Sequence, residues 1–179
     1  MDALMVLTRR EIQLIASKVV VRPNAPLALD AASITLHLSN QFAHYQPHSP
    51  EPFVPPMEMP LLHTTVEAPG DGYILAPNGA VLASSEEVVE MPLGLMGFIQ
   101  TRSSLARGFL MAHPSAGHIE PGYSGVVTFE IVNLSGFHYK LAPGMPIAKL
   151  FFLQLASEVE PGQGYNGRYQ GSSGPLGMK

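Results

Sequence analysis

Arg102, Ser103, Ser104 and Arg107 stand together, and Glu120 and Glu130 follow shortly after, in a 179-residue chain with only 10 lysines and arginines and 14 aspartates and glutamates. A guanidinium fork beside hydroxyl donors matches the oxygens of a phosphate. The plain alternative is a pair of surface arginines in ion pairs worth ~0–1 kcal/mol each. Ser103 and Ser104 between the arginines favour a loop with exposed donors, and so the phosphate reading. Glu130 lies in the run Val126-Val127-Thr128-Phe129-Glu130-Ile131-Val132. Alternation along a strand puts Val127, Phe129 and Ile131 on one face and Val126, Thr128, Glu130 and Val132 on the other. Two valines beside Glu130 predict partial burial, hence a raised pKa suited to a general base. Together these residues suggest a site that holds a phosphorylated ligand and moves a proton.

Other chemistries find little support. His118-Ile119-Glu120 matches half of the zinc deaminase signature, but the other half needs two cysteines and the chain has none. A zinc centre is therefore not expected, nor a disulfide. His44, His48, His63 and His113 show no ligand spacing above chance. The chain carries neither a phosphate-cradling G-x-x-x-x-G-K-[ST] loop nor a G-x-S-x-G nucleophile elbow. A net charge of −4 gives no basic field for a nucleic-acid polymer, so a phosphorylated ligand must be met by local charge. No apolar run approaches the ~20 residues that span a bilayer. The start, Met1-Asp2-Ala3-Leu4, lacks the basic region of a signal peptide. The expectation is a soluble cytoplasmic protein without a membrane partner.

An all-β fold with one short N-terminal helix must position these residues. Thr8 and Glu11 form a capping box ahead of the apolar positions Ile12, Leu14 and Ile15. Thereafter 17 prolines and 17 glycines separate short apolar runs, the signature of a sandwich or barrel. Strands are predicted at Ser33–Leu38, Tyr73–Leu75, Ala80–Ala83, Leu95–Gln100, Val126–Val132 and Ile147–Leu155, with a turn at Pro143-Gly144 before the last. The proline-rich stretch from Tyr45 to Pro60 reads as an irregular connection. One domain is expected over residues 1–160. Residues 161–179, rich in Gly, Ser, Gln and Tyr, cannot pack a core and read either as a disordered end or as a lid that orders over a ligand.

At these motifs the chain resembles the dCTP deaminase family of the trimeric dUTPase-like group. Arg102-Ser103-Ser104-Leu105-Ala106-Arg107 is similar to its R-S-S-L-[AG]-R motif, and His118 to Gly125 to its I-D-P-G-[WFY]-S-G motif. Glu130 stands at its strand glutamate, and Leu141-Ala142-Pro143-Gly144-Met145 resembles its L-x-P-G-M turn. The tail Arg168-Tyr169-Gln170-Gly171 is similar to K-Y-Q-G. The resemblance implies a distorted β-barrel of the dUTPase-like (β-clip) type, a homotrimer whose subunits share active sites, and deamination of dCTP to dUTP and ammonia without zinc. Mg²⁺ would enter with the triphosphate. By position, Glu130 is the general base, and Ser103, Arg107 and the Ala116 carbonyl orient the water and the amino group. Arg102 and Ser104 hold phosphate oxygens, Tyr123 stacks on the deoxyribose, and Tyr165 and Arg168 close from the tail.

The chain also departs from the pattern. Glu120 replaces the aspartate that contacts the sugar 3′-hydroxyl, His118 replaces a common arginine, Arg168 replaces a lysine, and Ser172 stands where a phosphate-binding glutamine can occur. These changes leave room for a 5-substituted cytosine. They also leave room for a dUTP pyrophosphohydrolase or a bifunctional enzyme, and for a catalytically silent nucleotide-binding regulator.

Overall fold

The computed structural model describes residues 5–45, 63–67 and 70–175, with only the backbone of 63–67. In chain order the elements are β1 (Met5–Val6), α1 (Arg9–Val19), β2 (Val20–Val21), β3 (Ala28–Leu29), β4 (Ile34–Tyr45), β5 (His63–Glu67), β6 (Tyr73–Leu75), β7 (Ala80–Glu90), β8 (Leu95–Thr101), α2 (Ser103–Ala106), β9 (Leu110–Met111), β10 (His118–Ile119), β11 (Ser124–Asn133), β12 (Tyr139–Leu141) and β13 (Pro146–Gln154). The main sheet runs β10-β8-β13-β4-β7-β11-β9, with β1, β2, β3 and β5 added at its sides, and β12 pairs β6 separately. Its ladders are antiparallel. The long strand β4 joins the two halves: Ile34–His37 pair with β13, and Leu38–Ala43 with β7. The sheet thus curls into the expected distorted barrel, left open between its end strands β10 and β9.

The helix begins as predicted. Glu11 reaches back so that its Oε2 accepts from the Thr8 N–H at 2.7 Å and the Thr8 hydroxyl at 2.8 Å, satisfying a donor at the helix start. Ile12, Ala16 and Val19 are its buried face. All six predicted strands form. The proline-rich connection, with His48, lies outside the described residues apart from Tyr45, which ends β4. In β11 the alternation is complete: Val127, Phe129 and Ile131 are buried, while Val126, Thr128, Glu130 and Val132 are half-buried on the other face. Phe129 packs in one core with Phe42 and Phe152. Each such ring contributes about 1.5–3 kcal/mol by leaving water.

Strand β7 runs well past its predicted end because of a bulge. Val126 pairs Val88 and Thr128 pairs Ser84, so Ser85, Glu86 and Glu87 oppose Val127 alone. The Ser85 hydroxyl stitches this bulge, donating to the Glu87 carbonyl at 2.7 Å and accepting from the Val127 N–H at 2.9 Å. Glu87 is fully buried. One of its carboxylate oxygens accepts from the His37 N–H at 2.8 Å, and the other lies 2.7 Å from His37 Nδ1 and 3.4 Å from Arg22 Nε. Arg22 also binds Glu86 at 2.7 Å. Removing Glu87 leaves the buried His37 N–H and imidazole without their carboxylate partner. We expect Glu87→Ala to cost about 3–5 kcal/mol in urea unfolding at fixed protein concentration. A loss below about 1 kcal/mol, the scale of an exposed pair, would show that the cluster does not hold the bulge.

Candidate active site

The cavity that contains Glu130 has a volume of about 610 Å³. Its floor is the half-buried face of β7 and β11, where Leu82 pairs Glu130, so these side chains form one row. Ala80 and Thr128 extend the floor, and Tyr45 stands at its edge. Burial pushes the Glu130 carboxyl above the usual carboxylate range, offset only in part by a hydrogen bond from its own backbone. Among the described residues no lysine or arginine lines this cavity, so none of their cations opposes that shift from its wall. This is the environment predicted from the alternation of β11.

The wall is built by the turn Glu120-Pro121-Gly122-Tyr123. Gly122 N–H donates to the Met91 carbonyl and Met91 N–H to the Tyr123 carbonyl, each at 2.8 Å. Gly122 has φ +86, and a Cβ there would lie 3.0 Å from the Tyr165 nitrogen. The position thus needs glycine both for its backbone and for the approach of the tail. The Tyr123 hydroxyl donates to the Val126 carbonyl. Burial, with Tyr165 adding to it, pushes the phenol up to about 12, so it stays protonated and serves as a fixed ring rather than a base. Tyr165 meets that ring edge-on, with centroids 5.7 Å apart. His118 and Glu120 face each other at the mouth, Nε2 to Oε1 3.5 Å, each side chain half exposed. Ala116 completes this side. The Gly117 carbonyl accepts from the Ile99 N–H, and a Cβ at Gly117 would lie 2.9 Å from the Ile99 carbonyl and 2.8 Å from His113 Cε1. Burial holds the His113 imidazole below its ordinary range, against the pull of the Ile99 carbonyl, which keeps it neutral beneath the loop.

The tail lies over this wall. Tyr165 N–H donates to the Pro121 carbonyl at 2.7 Å. The Gln170 amide accepts from the Ser124 N–H and donates to the Gly122 carbonyl, each at 2.9 Å. Gly171 donates to the Ser124 carbonyl and Val126 to the Ser172 carbonyl, forming a parallel bridge between Gly125 and Ser172. Composition left two readings, a disordered end and a lid that orders over a ligand. In the structure, hydrogen bonds attach the segment to the open edge of β11. Ser172 is consumed by this docking: it is buried, and its hydroxyl donates to the Gly174 carbonyl at 3.0 Å.

One chain therefore unites only part of the expected set. Glu130, Ala116, His118, Glu120, Tyr123 and Tyr165 share the cavity, whereas Arg102, Ser103, Ser104, Arg107, Arg168 and Ser172 do not line it. Arg168 is exposed on the tail. Arg102 to Arg107 form one helical turn rather than the expected loop, because Ala106 N–H bonds back to the Arg102 carbonyl and Arg107 N–H to that of Ser103. Ser103, Ser104 and Arg107 are exposed on it, Arg102 partly so. Tyr45 and Ile99 line the cavity but were not foreseen. Tyr169, which also lines it, sat inside the quoted tail motif, whereas nothing in the local pattern singled out Tyr45. Among the described residues, no group of three or more His, Cys, Asp or Glu is placed to hold a metal, and none of their helices is long and apolar enough to cross a membrane.

Residues 6–155 match the family model described as dCTP deaminase-like. The chain is 39% identical over 168 residues to a protein of Streptomyces griseus named dCTP deaminase, dUMP-forming, covering 92% of this chain and 88% of that one. It is 37% identical to the Acidothermus cellulolyticus protein of the same name, covering 96% and 93%. In fold it is similar to the 2′-deoxycytidine 5′-triphosphate deaminase of Agrobacterium tumefaciens, with a TM-score of 0.65 at 16% identity over 86% of this chain. It spans only 47% of that longer chain. A match over most of its length, on a dUTPase-like barrel, places this chain in the dCTP deaminase-like family.

Proposed function

We propose that the protein deaminates dCTP and carries the product on to dUMP. The observation that supports this most is Glu130, a carboxyl raised by burial in a cavity of about 610 Å³, a size suited to a small ligand. In the first step Glu130 takes a proton from water, and the oxygen attacks C4 of cytosine. The same carboxyl then returns the proton to the exocyclic nitrogen, which leaves as ammonia, and the remaining hydroxyl proton passes to N3 of the ring as the C4 carbonyl forms. The balance is dCTP plus water giving dUTP plus ammonia. A second water then gives dUMP and pyrophosphate. The reading that dUTP is the released product thus yields to the bifunctional one, since the relatives are named dUMP-forming. Glu120, at the mouth of the cavity, stands where dUTPases carry the aspartate that positions the second water.

The remaining roles follow from the resemblance. The Ala116 carbonyl, Ser103 and Arg107 orient the water and the amino group, and such preorganisation needs no zinc. Arg102 and Ser104 hold phosphate oxygens, Tyr123 stacks on the deoxyribose, and Tyr165 with Arg168 closes over the ligand from residues 161–179. Mg²⁺ enters on the triphosphate oxygens, which suit a hard cation. Because the α2 residues do not line the cavity of their own chain, a neighbouring subunit supplies them, and the working form is a homotrimer. Light scattering should give the mass of three chains. A fully active monomer would contradict this arrangement.

Two experiments test the chemistry. Product masses from dCTP, 5-methyl-dCTP, CTP and dUTP should show dUMP and ammonia from dCTP. Accumulation of dUTP would remove the second step, and unaltered dCTP would refute the whole reading. Glu130→Gln keeps the shape but removes the base, so we expect turnover to fall by about 10²–10⁴ with little change in nucleotide affinity. The same variant has a signature in stability. A carboxyl raised in the folded state binds its proton more tightly there than in the unfolded chain. Stability is therefore lost as pH rises from the unfolded value through the folded one. Glu130→Gln should match the parent at acid pH and exceed it at pH 8 in chemical denaturation. Equal stability at both would show that burial does not strain this carboxyl.

A further inference from the structure

Outside the cavity, the best-defined polar cluster surrounds Arg102. Thr35 of β4 pairs Lys149 of β13, and Lys149 pairs Gln100 of β8, so these residues form one row across three strands. Arg102 follows two residues after Gln100, and its N–H is tied to the Ile147 carbonyl at 3.1 Å. Its guanidinium donates from Nη1 to the Thr35 hydroxyl at 3.0 Å. That hydroxyl lies 2.8 Å from Asp30 Oδ2, which also meets Lys149 Nζ at 3.1 Å. Thr35 is buried.

The bonding directions in this chain are fixed by the groups at its ends. A guanidinium only donates and an ionised carboxylate only accepts. The single hydroxyl proton of Thr35 must therefore point at Asp30, leaving a lone pair for Arg102. Burial pushes the Asp30 carboxyl up, but hydrogen bonds from Thr35 and Lys149 and the charges of Lys149 and Arg102 outweigh it and hold it below its usual range. Asp30 thus stays an acceptor at neutral pH, and Lys149 keeps it in place. The hydrogen bond to Thr35 uses one Arg102 N–H, and the guanidinium has five in a rigid fork.

We propose that Asp30 and Thr35, with Lys149 as their anchor, are positioning residues that aim the Arg102 guanidinium at the nucleotide's phosphates and so set the affinity for the triphosphate. This rests on the reading of Arg102 as a phosphate ligand. Arg102 is the first residue before α2, and a long side chain there would otherwise sample many rotamers. A charge-assisted bond to a buried hydroxyl removes that freedom before the ligand arrives.

The test is a kinetic comparison on the full-length protein. Thr35→Val keeps the shape and removes only the hydroxyl. We expect KM for dCTP to rise about tenfold, on the scale of one hydrogen bond to a charged group, with kcat within about twofold. Thr35→Ser should restore KM, which mere loss of packing would not predict. Asp30→Ala, at the rim of the cluster, should raise KM less, and it decides the matter should the Val variant fail to fold. In an Arg102→Ala background, Thr35→Val should add nothing. A raised KM in Arg102→Ala alone, with Thr35→Val and Asp30→Ala unchanged, would overturn the positioning role and leave Arg102 as a phosphate ligand. An unchanged KM in Arg102→Ala would remove the phosphate reading itself, and this inference with it.

Discussion

The register of β11 on β7 is the constraint on which the site depends. Because side chains alternate, a slip by one residue would carry Phe129 to the cavity and Glu130 into the core. The bulge at Ser85–Glu87 preserves the faces. Ser84 and Val88 lie four apart, Thr128 and Val126 two apart, and all keep their parity across the irregularity. The strand can therefore bend without exchanging its two sides. The bulge is in turn held by the Ser85 hydroxyl and by Glu87, whose carboxylate binds the backbone of β4 at His37. A wholly buried carboxylate and a half-buried one thus serve opposite ends. Glu87 is satisfied by donors and stabilises geometry, whereas burial of Glu130 outweighs the hydrogen bond from its own backbone and leaves it with a raised affinity for a proton.

Leaving Glu130 without a cation in its own chain is consistent with the proposed chemistry. A guanidinium fixed beside it would favour the ionised form and weaken it as a base. In the proposed assembly Arg107 stands on a neighbouring subunit's α2, where it orients the ligand's amino group and water as they enter. Burial within the chain raises the affinity of Glu130 for a proton, and the interface then tunes it. The tyrosines around it fit this division. Tyr123 is bonded to its own strand and held protonated, so it presents a surface and does not compete for the proton.

Much of this was legible in the sequence because period-2 alternation reports burial directly. Glu130 between valines on one face, and Phe129 with Ile131 on the other, gave the site's floor before any coordinates. Prolines and glycines marked where strands begin, and Thr8 with Glu11 marked the helix. The bulge was not legible. Ser84-Ser85-Glu86-Glu87 is a polar run that interrupts alternation, and a buried glutamate looks like a surface charge until its partners, 50 residues away at His37, are known. Tyr45 was invisible for a similar reason, since the pairing of β4 with β7, and not its neighbours in sequence, brings it to the cavity beside Ala80. The one-turn helix at Ser103–Ala106 escaped because a single turn has too few residues to show a period.

The tail is attached in a way that composition does not report. It buries little apolar surface, but the start of β11 offers N–H groups at Ser124 and Val126 that no strand pairs on that side, and unpaired backbone donors seek partners. Gln170 and the Ser172 carbonyl supply them. Each bond exchanges with water at a net cost of only about 0.5–1.5 kcal/mol, so a segment attached by a few of them opens readily. Apolar burial would hold it more tightly but would make every opening expose a patch to water. In the proposed reading, a lid that admits a triphosphate and releases products each cycle is better served by backbone hydrogen bonds. Gly122, which lets the Tyr165 backbone approach within 3.0 Å of where a Cβ would stand, joins the tail to the turn carrying Glu120 and Tyr123. The docking of the tail and the packing of this turn are therefore one arrangement, because any side chain at residue 122 would separate them.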